Sequence, residues 1–146
     1  MVNGGQTLPP IRRHWVLAAM VMGIFTTAIE ATVVATAIPS IVGDLGGFQW
    51  FSWLFSIFML SQAATVPLYG KLADLYGRKP VFTAGMILFL LGTALCGSAA
   101  TMQALIAYRG LQGLGAGAVM PIALTVVADI FDPTERARIQ GYISSV

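Results

Sequence analysis

Two ionisable residues, Glu30 and Arg109, stand inside stretches that otherwise carry no charge. Holding a charge in hydrocarbon costs about 2.5–3.5 kcal/mol on insertion scales, so each must answer to a role. A carboxyl group that sheds and regains a proton, with a guanidinium close enough to tune it, is a unit for handling protons. Desolvation favours its neutral form and a nearby guanidinium its ionised form, so a small change in surroundings switches it. On the Glu30 helix, Gly23, Thr26, Thr27, Val34 and Ala37 share the acid's stripe, which makes Thr26 and Thr27 candidates for lining a substrate cavity. On the Arg109 helix, Gln112, Gly113 and Ala116 form a corresponding stripe, and Gln112 is a third such candidate. The plainer alternative is a static ion pair that locks two helices together.

A second group of charges lies in the segment from Gly70 to Pro80, between two apolar runs. Gly70 and Gly77 permit backbone turns that other residues resist. Asp74 and Arg78 are four positions apart and would face each other in a helix. Lys71 and Lys79 read as ordinary flanking charges, but these do not explain an aspartate among bases. A switch does: Asp74 pairs with a base or a helix N-terminus in one state and releases it in another.

The elements that position these groups follow from composition. Of 146 residues, 57% are hydrophobic and 10% are charged, against about 25% charged in a soluble domain. Mean hydropathy is +0.80. These values exclude a soluble enzyme, a disordered chain and a nucleic-acid-binding protein. The net charge is only +2 despite a pI near 9.0, and the bases are scattered over short segments. The single cysteine, Cys96, forms no intrachain disulfide. The expected fold class is therefore all-α integral membrane.

A helix needs about 20 residues to cross the hydrocarbon. Four spans are expected, at about 15–38, 48–69, 80–100 and 102–128, with Pro80 in the first turn of the third. Asp132-Pro133-Thr134-Glu135 has the form of a capping box and opens a fifth helix from about residue 133. Only Ile139–Val146 follows the basic pair Arg136/Arg138, about 12 Å of helix and too short to cross. The chain is accordingly expected to be the N-terminal part of a longer protein.

Of the eight Lys and Arg residues, all but Arg109 fall in segments on one side, which places the N-terminal segment 1–14 in the cytoplasm. Trp15 suits the inner interface, and Trp50 and Trp53 the outer one. Glu30 lies eight residues before Ile38 and Arg109 seven after Met102. Both charges therefore sit about 10–12 Å below the outer surface, at a depth that suits a shared cavity. Gly113 and Gly117 form a GxxxG pair that lets another helix approach closely. No Lys-Ser/Thr follows these glycines, so they are not a phosphate loop. The one histidine, His14, is an interfacial flank residue, and with no ligand cluster the chain is expected to hold neither metal nor cofactor and not to be an enzyme.

Three segments resemble one family. Gly70-Lys71-Leu72-Ala73-Asp74-Leu75-Tyr76-Gly77-Arg78-Lys79 is similar to the G-x-L-a-D-r-x-G-r-k signature of the major facilitator superfamily. Arg109-Gly110-Leu111-Gln112-Gly113-Leu114-Gly115-Ala116 resembles its R-x-x-Q-G-x-G-a helix-4 motif. Glu30-Ala31-Thr32-Val33-Val34-Ala35-Thr36-Ala37-Ile38-Pro39 resembles the D-x-T-v-v-n-x-A-l-P motif of its drug:proton antiporter branch with fourteen spans, the EmrB/QacA type. The resemblance implies helical bundles built from inverted repeats around a cavity that opens alternately to each side. It implies that Gly70, Asp74, Gly77 and Arg78 form a gating loop, and that Arg109 and Gly113 belong to the proton-coupling helix. Glu30 takes the place of the family's usual Asp, and Thr36, or Ala35 in the neighbouring register, that of its Asn.

The expected function is proton-coupled export of amphipathic small molecules from the cell, with a small substrate, protons and the bilayer as partners and no nucleic acid. Two alternatives stand beside it. One is a small four-helix multidrug transporter acting as a dimer; the other is a non-transporting tetraspan protein or inactive product.

Overall fold

Apart from a closed barrel, a helix is the one backbone arrangement that satisfies its own hydrogen bonds in hydrocarbon. The computed structural model describes residues 10–130 and Gly141. Within 10–130 the chain forms four helices: α1 (Pro10–Leu45), α2 (Phe51–Tyr76), α3 (Arg78–Gly97) and α4 (Met102–Ile130), with a short 3-10 turn at Phe48–Trp50. The first nine residues and the expected fifth helix from Asp132-Pro133 lie outside the described residues.

The helices outrun the apolar spans, and backbone chemistry sets where they stop. The first span was expected to end at about residue 38, but α1 passes through Pro39 and continues to Leu45. Membrane helices tolerate proline because neighbouring groups satisfy the freed carbonyl. The helix ends where Gly46 and Gly47 take φ of 65° and 72°, a region that costs glycine little. Gly46 N–H donates to the Val42 carbonyl at 3.0 Å and closes the last turn. Similarly, α2 runs beyond Tyr69 to Tyr76 and takes Gly70, Lys71 and Asp74 into the helix. Gly77, at φ 90° and ψ 151°, then separates α2 from α3. The expected hinge is thus a single residue, and the helical spacing of Asp74 and Arg78 does not apply across it.

Pro80 falls in the first turn of α3, where a missing N–H matters least. Thr101 caps α4 through its hydroxyl, which accepts from Ala104 N–H at 3.2 Å.

Among the described residues, three segments are long and apolar enough to cross a membrane: Ala18–Leu45, Phe48–Tyr76 and Arg78–Gly97. The fourth expected span, α4, is 29 residues long. It packs along both α2 and α3, with α1 laid against it more lightly. Ala116, Ala118, Val119, Ile122 and Ala123 of α4 are all buried. Gly113 and Gly117 face α2: a Cβ added at Gly113 would lie 2.5 Å from the Phe58 carbonyl oxygen, and one at Gly117 2.9 Å from that of Gln62. Gly115 faces α3, where a Cβ would lie 2.7 Å from the Gly85 carbonyl oxygen. On α1, Met20 and Ile24 pack on Val119 and Ala123, while Met22, Phe25, Ile29 and Val33 are exposed on a face suited to acyl chains.

Candidate functional site

Helical periodicity brings Arg109 and Gln112, three residues apart, to the same side of α4, and both are buried, at 3% and 0% exposure. A buried guanidinium requires acceptors. Arg109 Nε donates to the Leu54 carbonyl of α2 at 3.3 Å. Its Nη1 donates to Gln112 Oε1 at 2.7 Å and to Glu30 Oε1 of α1 in an ion pair. The Phe58 ring of α2 lies 4.4 Å from Arg109 Cζ and supplies a cation–π face. The cation is held by three helices.

Gln112 extends the network to α3. Its Nε2 donates to Thr93 Oγ1 at 2.8 Å, and its Oε1 is also approached by Cys96 Sγ at 3.8 Å. Glu30 is the contrasting member. Its Oε1 meets Arg109, but Oε2 is buried with no hydrogen-bond partner among the described residues. Beside the pair is a cavity of about 210 Å³ bounded by all four helices, with Glu30, Arg109, Gln112, Thr93 and Cys96 as its polar lining and Val34, Ala37 and Leu54 among its apolar lining.

The structure therefore brings Glu30, Arg109 and Gln112 together. It does not bring Thr26 and Thr27 to them. Thr26 Oγ1 donates to the Met22 carbonyl at 2.7 Å and Thr27 Oγ1 to that of Ile24 at 2.8 Å, and Thr26 lines a separate apolar groove of about 260 Å³ between α1 and α3. The residues of the expected gating loop are also separate from the cavity. Asp74 is exposed at the end of α2, while Arg78 Nη1 donates to the Thr125 carbonyl at 2.8 Å and ties the start of α3 to α4. Gly70 faces open space, and Gly77 forms the break.

Sequence reasoning missed Thr93, Cys96, Phe58 and the Leu54 carbonyl. The available signal was weak: Thr93 and Cys96 are three apart on α3, but neither type is unusual in an apolar helix. A backbone carbonyl leaves no trace in residue identity at all.

A cavity bounded by four helices, with an ion pair joining the first and fourth, invites comparison with known proteins. The profile of the major facilitator superfamily matches residues 20–146. The chain belongs to the major facilitator superfamily. It is similar to multidrug resistance protein 3 of Bacillus subtilis, with 46% identity over 90% of this chain and 26% of that protein. It is also similar to multidrug transporter protein MdtP of the same organism, with 42% identity over 92% of this chain and 25% of that one. An uncharacterised transporter of the superfamily from Mycobacterium tuberculosis is 37% identical over 98% of this chain and 21% of its own length. The chain thus spans about a quarter of the length of the curated relatives it matches. No solved structure matches it. Membership, together with the long apolar helices, makes it a multi-pass membrane protein of a transporter family.

Proposed function

We propose that this chain forms the proton-handling part of an exporter of amphipathic small molecules in the cell membrane, with its N-terminus in the cytoplasm. The carrying observation is Glu30: one carboxylate oxygen is paired with Arg109, while the other is buried, unpartnered and next to a cavity. An acid placed in that way has an oxygen free to take a proton and a counter-charge on the other. The names of the two Bacillus subtilis relatives support multidrug compounds as the substrate class.

In the proposed cycle, Glu30 takes a proton from the outer side as substrate leaves. Loss of the carboxylate charge weakens its hold on Arg109, and the bundle moves to expose the cavity to the cytoplasm, where the proton departs. Asp74 and Arg78, beside the glycine break at Gly77, gate that movement from the cytoplasmic end. A potential of 100 mV supplies about 2.3 kcal/mol per charge moved, which supports roughly fifty-fold accumulation of a neutral solute.

The test is transport by the complete gene product in lipid vesicles, with an imposed pH gradient and a fluorescent amphipathic amine. Glu30→Gln should reduce gradient-driven uptake to that of empty vesicles while leaving insertion and helical content unchanged. Wild-type pH-driven flux in that variant would remove Glu30 from the mechanism. Absence of flux in the wild type would favour the non-transporting alternative.

A further inference from the structure

Gln112 is fully buried beside a guanidinium. Its amide must be held one way round, since a turned amide would present an N–H to the cation. Three residues of α3 meet it. At Gly92 the backbone of α4 comes so close that an added Cβ would lie 2.6 Å from Gln112 Cα and 2.8 Å from its N, an approach that a side chain would block. At the next position, Thr93 Oγ1 accepts from Gln112 Nε2 at 2.8 Å, while its own hydroxyl proton goes to the Phe89 carbonyl at 2.9 Å. About one turn further on, Cys96 Sγ donates to Gln112 Oε1 at 3.8 Å. The amide oxygen is thereby turned toward Arg109, whose Nη1 donates to it at 2.7 Å and also to Glu30. Other close approaches of α3 and α4 fall on apolar residues, with Gly85 against Ala118 and Gly115 against the Phe89 backbone. The approach at Gly92 falls on a member of the cavity network.

We propose that Gly92 and Thr93 are positioning residues: α3 seats Gln112 at Gly92 and turns its amide through Thr93, which aims the Arg109 guanidinium at Glu30. This rests on the proton-handling reading above and brings the third helix into it. Both residues act through Gln112. A side chain at position 92 would push the two backbones apart and withdraw Gln112 Oε1 from Arg109 Nη1. Loss of the Thr93 hydroxyl would leave the amide free to turn. In either case the guanidinium has one fixed acceptor fewer and is no longer held in one orientation.

The experiment uses the complete gene product in lipid vesicles, with a pH gradient and a fluorescent amphipathic amine, and reads the maximal rate of uptake. Thr93→Val keeps the shape and drops the hydroxyl; it should slow uptake about fivefold, the size of one net hydrogen bond, and Thr93→Ser should restore it. Gln112→Leu should slow uptake at least as much. The double variant Thr93→Val/Gln112→Leu should be no slower than Gln112→Leu alone, because a residue acting through Gln112 then has nothing to act on. A purely structural loss, or separate substrate contacts, would multiply instead. The infrared S–H stretch of Cys96, identified as the band lost in Cys96→Ala, reports the seat directly. Gln112 Oε1 should shift it down in the wild type, and Gly92→Ala should return it to the free-thiol position. A wild-type rate in Thr93→Val, a multiplied loss in the double variant, or an unmoved band in Gly92→Ala overturns the proposal. Where Gly92→Ala fails to insert, the wild-type band decides: a free-thiol position there shows that α3 does not hold the amide. A wild type without gradient-driven uptake would bring down the proton-handling reading itself, so the two failures are distinguishable.

Discussion

Arg109 carries more interactions than any other side chain of the cavity: an ion pair with Glu30, hydrogen bonds to Gln112 and the Leu54 carbonyl, and the Phe58 ring. This distribution requires a planar group with donors in several directions, which an ammonium ion does not provide. Arg109→Lys should therefore keep the charge yet lose pH-driven flux, because one nitrogen cannot reach acceptors on α1, α2 and α4 together. Arg109→Leu should also lower thermal stability by about 3–5 kcal/mol, the usual cost of leaving one member of a buried pair behind. Thermal unfolding of the purified protein, read beside vesicle flux, separates the two effects. At this scale the sequence was informative about charges and poor about neutral partners. Glu30 and Arg109 stood out because ionised groups are rare in apolar runs, and Gln112 because it shares the arginine's face. Thr26 and Thr27 shared the acid's stripe but bond to carbonyls of their own helix, since a threonine in a helix always has such an acceptor at hand.

Each helix has its own constraint, and α4 has the tightest. Gly113, Gly115 and Gly117 are contact points with backbone on either side, so a side chain there displaces a whole helix rather than a flexible neighbour. Gly115→Ala should destabilise the bundle by about 1–3 kcal/mol, and Gly113→Val by at least that, because their Cβ atoms would fall on α3 and α2 backbone respectively. Gly43→Ala is the control. Nothing lies within 4 Å of its added Cβ, and it sits inside α1, so it should be neutral or stabilising by up to about 1 kcal/mol. Gly77→Ala belongs with the costly set for a different reason: at φ 90° a Cβ strains the backbone itself, by about 1–3 kcal/mol. Thermal midpoints of the four variants in one detergent rank them. The sequence showed the existence and order of the helices, because long charge-free runs admit few other structures. It misjudged their ends, because hydropathy reports where hydrocarbon begins and not where backbone hydrogen bonding stops.

For the molecule as a whole, orientation and assembly are separate matters. The positions of Lys71, Arg78 and Lys79 at the α2–α3 junction predict that this end is cytoplasmic and the α3–α4 turn at Ser98 external. A reporter active only in the cytoplasm should work when fused after Gly77 and fail after Ser98; the reverse pattern would invert the topology and the direction of the proposed cycle. Composition alone established that the protein is a helical membrane protein, since so few charges cannot coat a water-facing surface. Three ordered motifs pointed to its superfamily. Tertiary structure decided which polar groups of those helices meet. Periodicity assigns a residue to a face, but the rotation of one helix against another depends on contacts between residues far apart in the chain. Only their packing shows that Thr93 reaches Gln112, that Gln112 reaches Arg109, and that one oxygen of Glu30 is left without a donor.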